Sequence, residues 1–179
     1  MFVNHQEDKV LDQVNETPTT QPVQNPAEAQ LKLENQFKNG ANWFYWIAGL
    51  SVINSLILIF GGEISFIVGL GITQLVDAIA WEFRNSAGMN LDFVFFTASL
   101  LISGIFVLFG FLSRKGIMGI YIAGMILYAL DGLIFLLIGD WLSLGFHVFV
   151  IFSLFGGLKA LRVIKAQERA TNLMTKPIT

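Results

Sequence analysis

Five apolar stretches, each about the length of a membrane helix, alternate with short polar punctuation between residues 42 and 161. The first, from about Asn42 to Phe60, opens with Trp43, Tyr45 and Trp46, whose amphipathic rings favour the headgroup region. A Gly61-Gly62-Glu63 turn separates it from a second stretch, Ile64 to Trp81, just long enough to span at about 1.5 Å per residue. Glu82, Arg84 and Asp92 bracket a polar loop, Phe93 to Ser113 is uncharged, and Ser113 to Gly116 is a basic turn. The last two stretches, Gly116 to Gly139 and Trp141 to Leu158, fold back on each other at Gly139-Asp140-Trp141. The pattern predicts an all-α, polytopic transmembrane helix bundle with five candidate helices.

The flanks differ in kind. Residues 1–26 are polar and acidic, rich in Gln, Asn, Thr and Pro, too poor in apolar side chains to offset the entropy of ordering, and are expected to form a disordered tail. Pro26 suits a first helical turn, and residues 27–40 read as a short interfacial helix stopped at Gly40. The bundle itself is assigned to residues 41–161. Residues 162–179 continue the last helix as a basic cytoplasmic extension and tail. Lys159, Arg162, Lys165 and Arg169 recur along one of its faces at spacings of three and four, where they anchor topology and can hold anionic lipid headgroups.

Composition agrees with a membrane protein and narrows the chemistry. The 179-residue chain is 54% hydrophobic and 13% charged, with a mean hydropathy of +0.64, against about 25% charged residues in soluble domains. A net charge of -2 supplies no concentrated basic surface for nucleic acid, so the partner read from composition is the lipid bilayer. There are no cysteines, which excludes disulfides, thiolate catalysis and Cys-ligated metals. No basic n-region precedes an apolar core at the N-terminus, so no cleavable signal peptide is expected. HExxH, Gly-x-Ser-x-Gly and Walker-type motifs are absent, and the Gly-x-Gly at Gly69 and Gly71 lies within an apolar span. Neither catalytic residues nor a metal or cofactor is expected, and the chain does not read as an enzyme.

Five crossings place the N-terminus outside and the Arg114-Lys115 turn and C-terminus in the cytoplasm, by the positive-inside rule. The same arrangement puts Trp43, Trp46, Trp81 and Trp141 at one outer interface. A competing arrangement makes the third segment re-entrant, broken at Ser103-Gly104, with both termini inside. The length of that uncharged segment argues for the five-crossing form. A faint internal repeat relates Ile47-Ala48-Gly49 with Asn54-Ser55 to Ile122-Ala123-Gly124 with Asp131-Gly132, and five crossings would invert one copy against the other.

Polar positions inside the spans are periodic. Ser65, Gly69, Thr73 and Asp77 lie along one face of the second helix, and Tyr121, Gly124, Tyr128 and Asp131 along one face of the fourth. Ser51, Asn54 and Ser55 cluster on the first, Ser99 and Ser103 on the third. Such faces pack helices closely, with Ser65, Gly69, Thr73 and Gly124 as the clearest packing positions. Asp77, Asp131 and His147 stand apart, because an ionisable group at mid-bilayer costs at least about 2.5 kcal/mol. The tight turn makes the helices of Asp131 and His147 antiparallel neighbours, within reach of a carboxylate–imidazole bond. With Tyr128 nearby, these residues form a candidate intramembrane polar cluster, either a packing lock or a pH-responsive proton carrier.

The run YALDGLIFLLIGDWLSLGFHVFVIFSLFGGLKA, with NWFYWIAGLS and FVLFGFLSRKG, resembles small multi-pass bacterial membrane proteins that have no assigned function. The resemblance covers about Ala41 to Leu161 and implies the inner (plasma) membrane of a bacterium; it implies no activity and no site residues. The residues point first to a structural or accessory interaction subunit, held to a membrane-protein partner or to copies of itself. A small proton-linked transporter or channel using Asp77, Asp131 and His147 is the alternative.

Overall fold

A computed structural model describes residues 25–60, 69–86, 88 and 91–175. Residues 1–24 of the expected 1–26 tail, Ser65 and the Glu63 turn lie outside the described residues. Five helices follow in order: α1 Pro26–Ile59, α2 Gly71–Ser86, α3 Asp92–Arg114, α4 Met118–Ile138 and α5 Trp141–Met174. The all-α bundle is as expected. Among the described residues, α1, α3, α4 and α5 are long and apolar enough to cross a membrane. The 16-residue α2 is not, since about 20 residues are needed.

Helix α1 is the hub, packing most extensively on α3 and α5. Its start follows the expected Pro26 signal, and the Asn25 carboxamide oxygen caps it by accepting from the Ala27 N–H at 3.2 Å. Gly40, expected to end a separate interfacial helix, does not interrupt it. The residue serves a crossing instead: a Cβ there would stand 2.7 Å from the Gly157 Cα, so the absent side chains let α1 and α5 touch backbone to backbone. Tyr121 fills the space beside that crossing and donates to the Leu154 carbonyl at 2.9 Å. Phe44, Phe106, Tyr128, Val150, Leu154 and Leu158 continue the core along the bundle.

The ends of the bundle sort by charge. Gln30 near the start of α1 lies beside Gln167, Thr171 and Asn172 near the end of α5, and Gly116, between α3 and α4, lies by Lys165. This basic end collects Lys32, Lys38, Arg114, Lys115, Lys159, Arg162, Lys165 and Arg169. The opposite, acidic end carries the Gly139-Asp140 turn and the junction of α2 with α3. At that junction Arg84 pairs with Asp92, its Nε donating to Oδ1 at 3.1 Å.

Four expectations fail here. The start of α1 and the end of α5 share one end of the bundle, where five crossings would separate them. The second segment falls short of a span, while α3 is continuous through Ser103-Gly104, as the five-crossing form and not its re-entrant competitor expects. Trp43 and Trp46 lie about 24 and 20 Å along α1 from Ile59 at 1.5 Å per residue, whereas Trp141 begins α5 at the acidic end; the four tryptophans do not share an interface. With α1 and α4 both running from the basic to the acidic end, the two halves of the faint repeat are parallel rather than inverted.

Candidate functional site

The helical backbone of α2 begins inside the bundle, and this makes the site. Its first residue was expected near Ile64, but Gly69 and Leu70 are not helical and α2 starts at Gly71. The Leu70 N–H donates to Ser51 Oγ at 2.8 Å. Ser51 lies eight residues before the end of α1 and Asp131 seven before the end of α4, about 10–12 Å of helix in each case. The α2 N-terminus therefore opens at depth, where unmet N–H groups cost several kcal/mol each.

Asp131 meets two of them. The Gly71 N–H donates to its Oδ2 at 2.7 Å and the Ile72 N–H to its Oδ1 at 2.9 Å, so a carboxylate on α4 caps a helix sixty residues earlier in the chain. Ser51 and Thr73 complete the cap: the Ser51 hydroxyl accepts from Leu70 and donates to the Ile47 carbonyl at 2.8 Å, while the Thr73 hydroxyl donates to the Leu70 carbonyl at 2.8 Å. Glycine is required at the first helical position, because a Cβ on Gly71 would fall 2.9 Å from the Phe135 ring and 3.3 Å from the Asp131 carbonyl oxygen. The carboxyl group sits where the helix dipole is positive, the place of an anion site filled by the protein's own side chain.

His147 approaches from α5, as the Gly139 turn led us to expect. Its Nε2 lies 3.1 Å from Asp131 Oδ2 and its Nδ1 lies 3.0 Å from the Ser143 carbonyl. A carbonyl only accepts, so Nδ1 carries a proton. The Asp131 contact then requires either an imidazolium with a carboxylate or a neutral imidazole with a protonated acid, and the pair is neutral overall in both. Gly132 permits the approach, with the His147 Cβ 3.2 Å from where its own Cβ would be. Tyr128 contributes its ring rather than its hydroxyl, stacking on the imidazole at 4.4 Å between centroids and 12° between planes.

Asp77 belongs to a separate network. The Ser55 hydroxyl of α1 donates to Oδ2 at 2.6 Å and the Ser99 hydroxyl of α3 to Oδ1 at 3.0 Å, so this carboxylate joins three helices. All three ionisable residues lie in the acidic-end half of the bundle, but six residues of α2, about 9 Å, separate the capped terminus from Asp77. The expected single cluster is thus two sites.

The remaining predicted residues fall as follows. Thr73 is buried on α2, Gly69 packs outside any helix against Asn54 and Ser51, and Gly124 receives the Phe44 ring, 2.8 Å from its would-be Cβ. Lys159, Arg162 and Arg169 are exposed on α5, and Lys165 pairs with Glu168 at 2.9 Å. Asp140 caps α5, accepting from the Ser143 N–H at 3.1 Å and hydroxyl at 2.6 Å. Those two bonds hold its carboxyl below the usual carboxylate range. Sequence reasoning missed the backbone donors of Gly71 and Ile72; the Gly69-Leu70-Gly71 pattern was their one signal. No group of three or more His, Asp or Glu side chains suited to a metal occurs among the described residues. No protein-family model, curated protein or solved structure matches the chain.

Proposed function

We propose that this integral membrane protein is a non-enzymatic structural or accessory subunit in which Asp131 and His147 form a lock. The observation that carries the reading is the commitment of Asp131 to the buried start of α2: a carboxylate bound by two backbone N–H groups and an imidazole is poorly placed to release its charge in a transport cycle. The partner would be another membrane protein or a second copy. Gly49, Gly104, Gly119 and Gly145 are exposed on the membrane-spanning helices, with nothing within 4 Å of their would-be Cβ positions. Glycine costs a helix about 0.5–1 kcal/mol relative to Ala, and close approach by another helix is the usual return for it in membranes.

By the positive-inside rule the basic end faces the cytoplasm, with both helical termini there, and a bacterial inner membrane fits that polarity. Lys159, Arg162 and Arg169 would then meet anionic lipid. The proton-linked alternative loses support because its three residues divide between two networks.

Asp131→Asn and His147→Ala test the proposal. An Asn side chain has one acceptor oxygen and turns an NH₂ toward a helix N-terminus, leaving at least one N–H unmet, at a cost of about 1–3 kcal/mol. Both variants should melt earlier in detergent and assemble poorly, without a specific loss of proton flux in pyranine-loaded vesicles. Variants that melt like wild type but lose pH-driven flux would overturn the lock.

A further inference from the structure

Asp77 differs from Asp131 in one respect that the lock does not explain. Each aspartate is 7% exposed, but Asp131 has a histidine beside it, whereas the side chains bonded to Asp77 among the described residues are the neutral hydroxyls of Ser55 and Ser99. None of the ion pairs among the described residues includes Asp77. Buried charges are normally paired with a cation or a metal. An ionised carboxylate can accept about four hydrogen bonds, so the two serines leave capacity over.

Asp77 also borders a cavity. The space, about 330 Å³, lies between α1 and α2 and is lined by Asn54, Leu58, Gln74, Asp77, Ala78 and Trp81, within the usual size range of small-molecule sites. Trp81 stands one turn beyond Asp77 on the same face of α2. A carboxylate and an indole on one wall, with Leu58 and Ala78 beside them, match a positive charge carried on an apolar body. The indole attracts the cation through its π face, the carboxylate neutralises it, and the aliphatic groups cover the carbon skeleton.

We propose that the cleft between α1 and α2 binds a small organic ammonium ion, with Asp77 as counter-charge and Trp81 as its aromatic wall. The site is independent of the Asp131 lock and goes beyond a scaffold's needs, so either can fail without the other.

The test uses the full chain in detergent and equilibrium dialysis of labelled benzyltrimethylammonium, with empty micelles as background. Wild type should bind it saturably, and neopentylbenzene, its uncharged carbon isostere, should not displace it. Asp77→Asn keeps the shape of the side chain and an acceptor for one serine while removing the charge, and should weaken binding about tenfold or more. Trp81→Leu, at a half-exposed position that leaves the Asp77 network intact, should weaken it about 2- to 30-fold. Trp141→Leu, at the same end but outside the cleft, should bind as wild type does. Binding no greater than to empty micelles, displacement by the neutral isostere, or an Asp77→Asn or Trp81→Leu variant that binds as tightly as wild type would overturn the proposal.

Discussion

Two of the described aspartates cap helices, and their surroundings make the consequences different. Asp140 caps its own helix at the acidic end, where Ser143 supplies both donors. Its carboxyl is held below the usual range in the folded state, so the stability it adds is present above the ordinary value near pH 3.9 and is lost as pH falls through the lowered one. Asp140→Ala should cost about 1 kcal/mol at neutral pH. Thermal melts of variant and wild type should converge on acidification below the carboxylate range; a gap that persists there would contradict a capping role. Asp131 has no such tolerance, since the groups it caps lie at depth. The pairing of Asp131 with His147 was legible because the Gly139-Asp140 turn fixes which residues face each other across α4 and α5. The capping role of Asp131 was not, because it depends on free N–H groups at Gly71 and Ile72. Those exist only because α2 begins at Gly71, inside an uninterrupted apolar segment without proline.

Among the elements, the helix that needs most explanation is α2, and α1 explains it. Ser51 and Ser55 sit one turn apart on α1, so one face of that helix receives Leu70 and, further out, Asp77. The periodic reading of Ser65, Gly69, Thr73 and Asp77 placed the last two correctly and missed that Gly69 precedes the helix. Hydropathy alone cannot tell where within an apolar stretch a helix begins, since the stretch is apolar throughout. For α1 the reverse error arose: Gly40 reads as a stop, yet it is buried in the contact with Gly157. Gly40→Leu should therefore lower stability by about 1–3 kcal/mol or more through overpacking. Gly49→Ala, with nothing near its added methyl, should be neutral or stabilising by about 0.4–1 kcal/mol. Equal melting shifts for the two substitutions in detergent would contradict the close α1–α5 crossing.

For the whole molecule, these local facts combine into one arrangement. Four helices long enough to span and a fifth that opens at depth and runs to the acidic end bring the described chain back to the side on which it began. Among the described residues, the basic side chains then gather at one end, apart from Arg84, which is paired with Asp92. The count of apolar segments misleads because apolar composition does not show how far a segment runs through the bundle. The absence of cysteine makes this directly measurable. Single cysteines at Glu28, Asn85 and Thr171 would be labelled with a membrane-impermeant maleimide in intact cells and after lysis. The arrangement predicts that Glu28 and Thr171 behave alike and that Asn85 labels from the opposite side. Labelling of Glu28 and Thr171 from opposite sides would contradict it and restore five crossings.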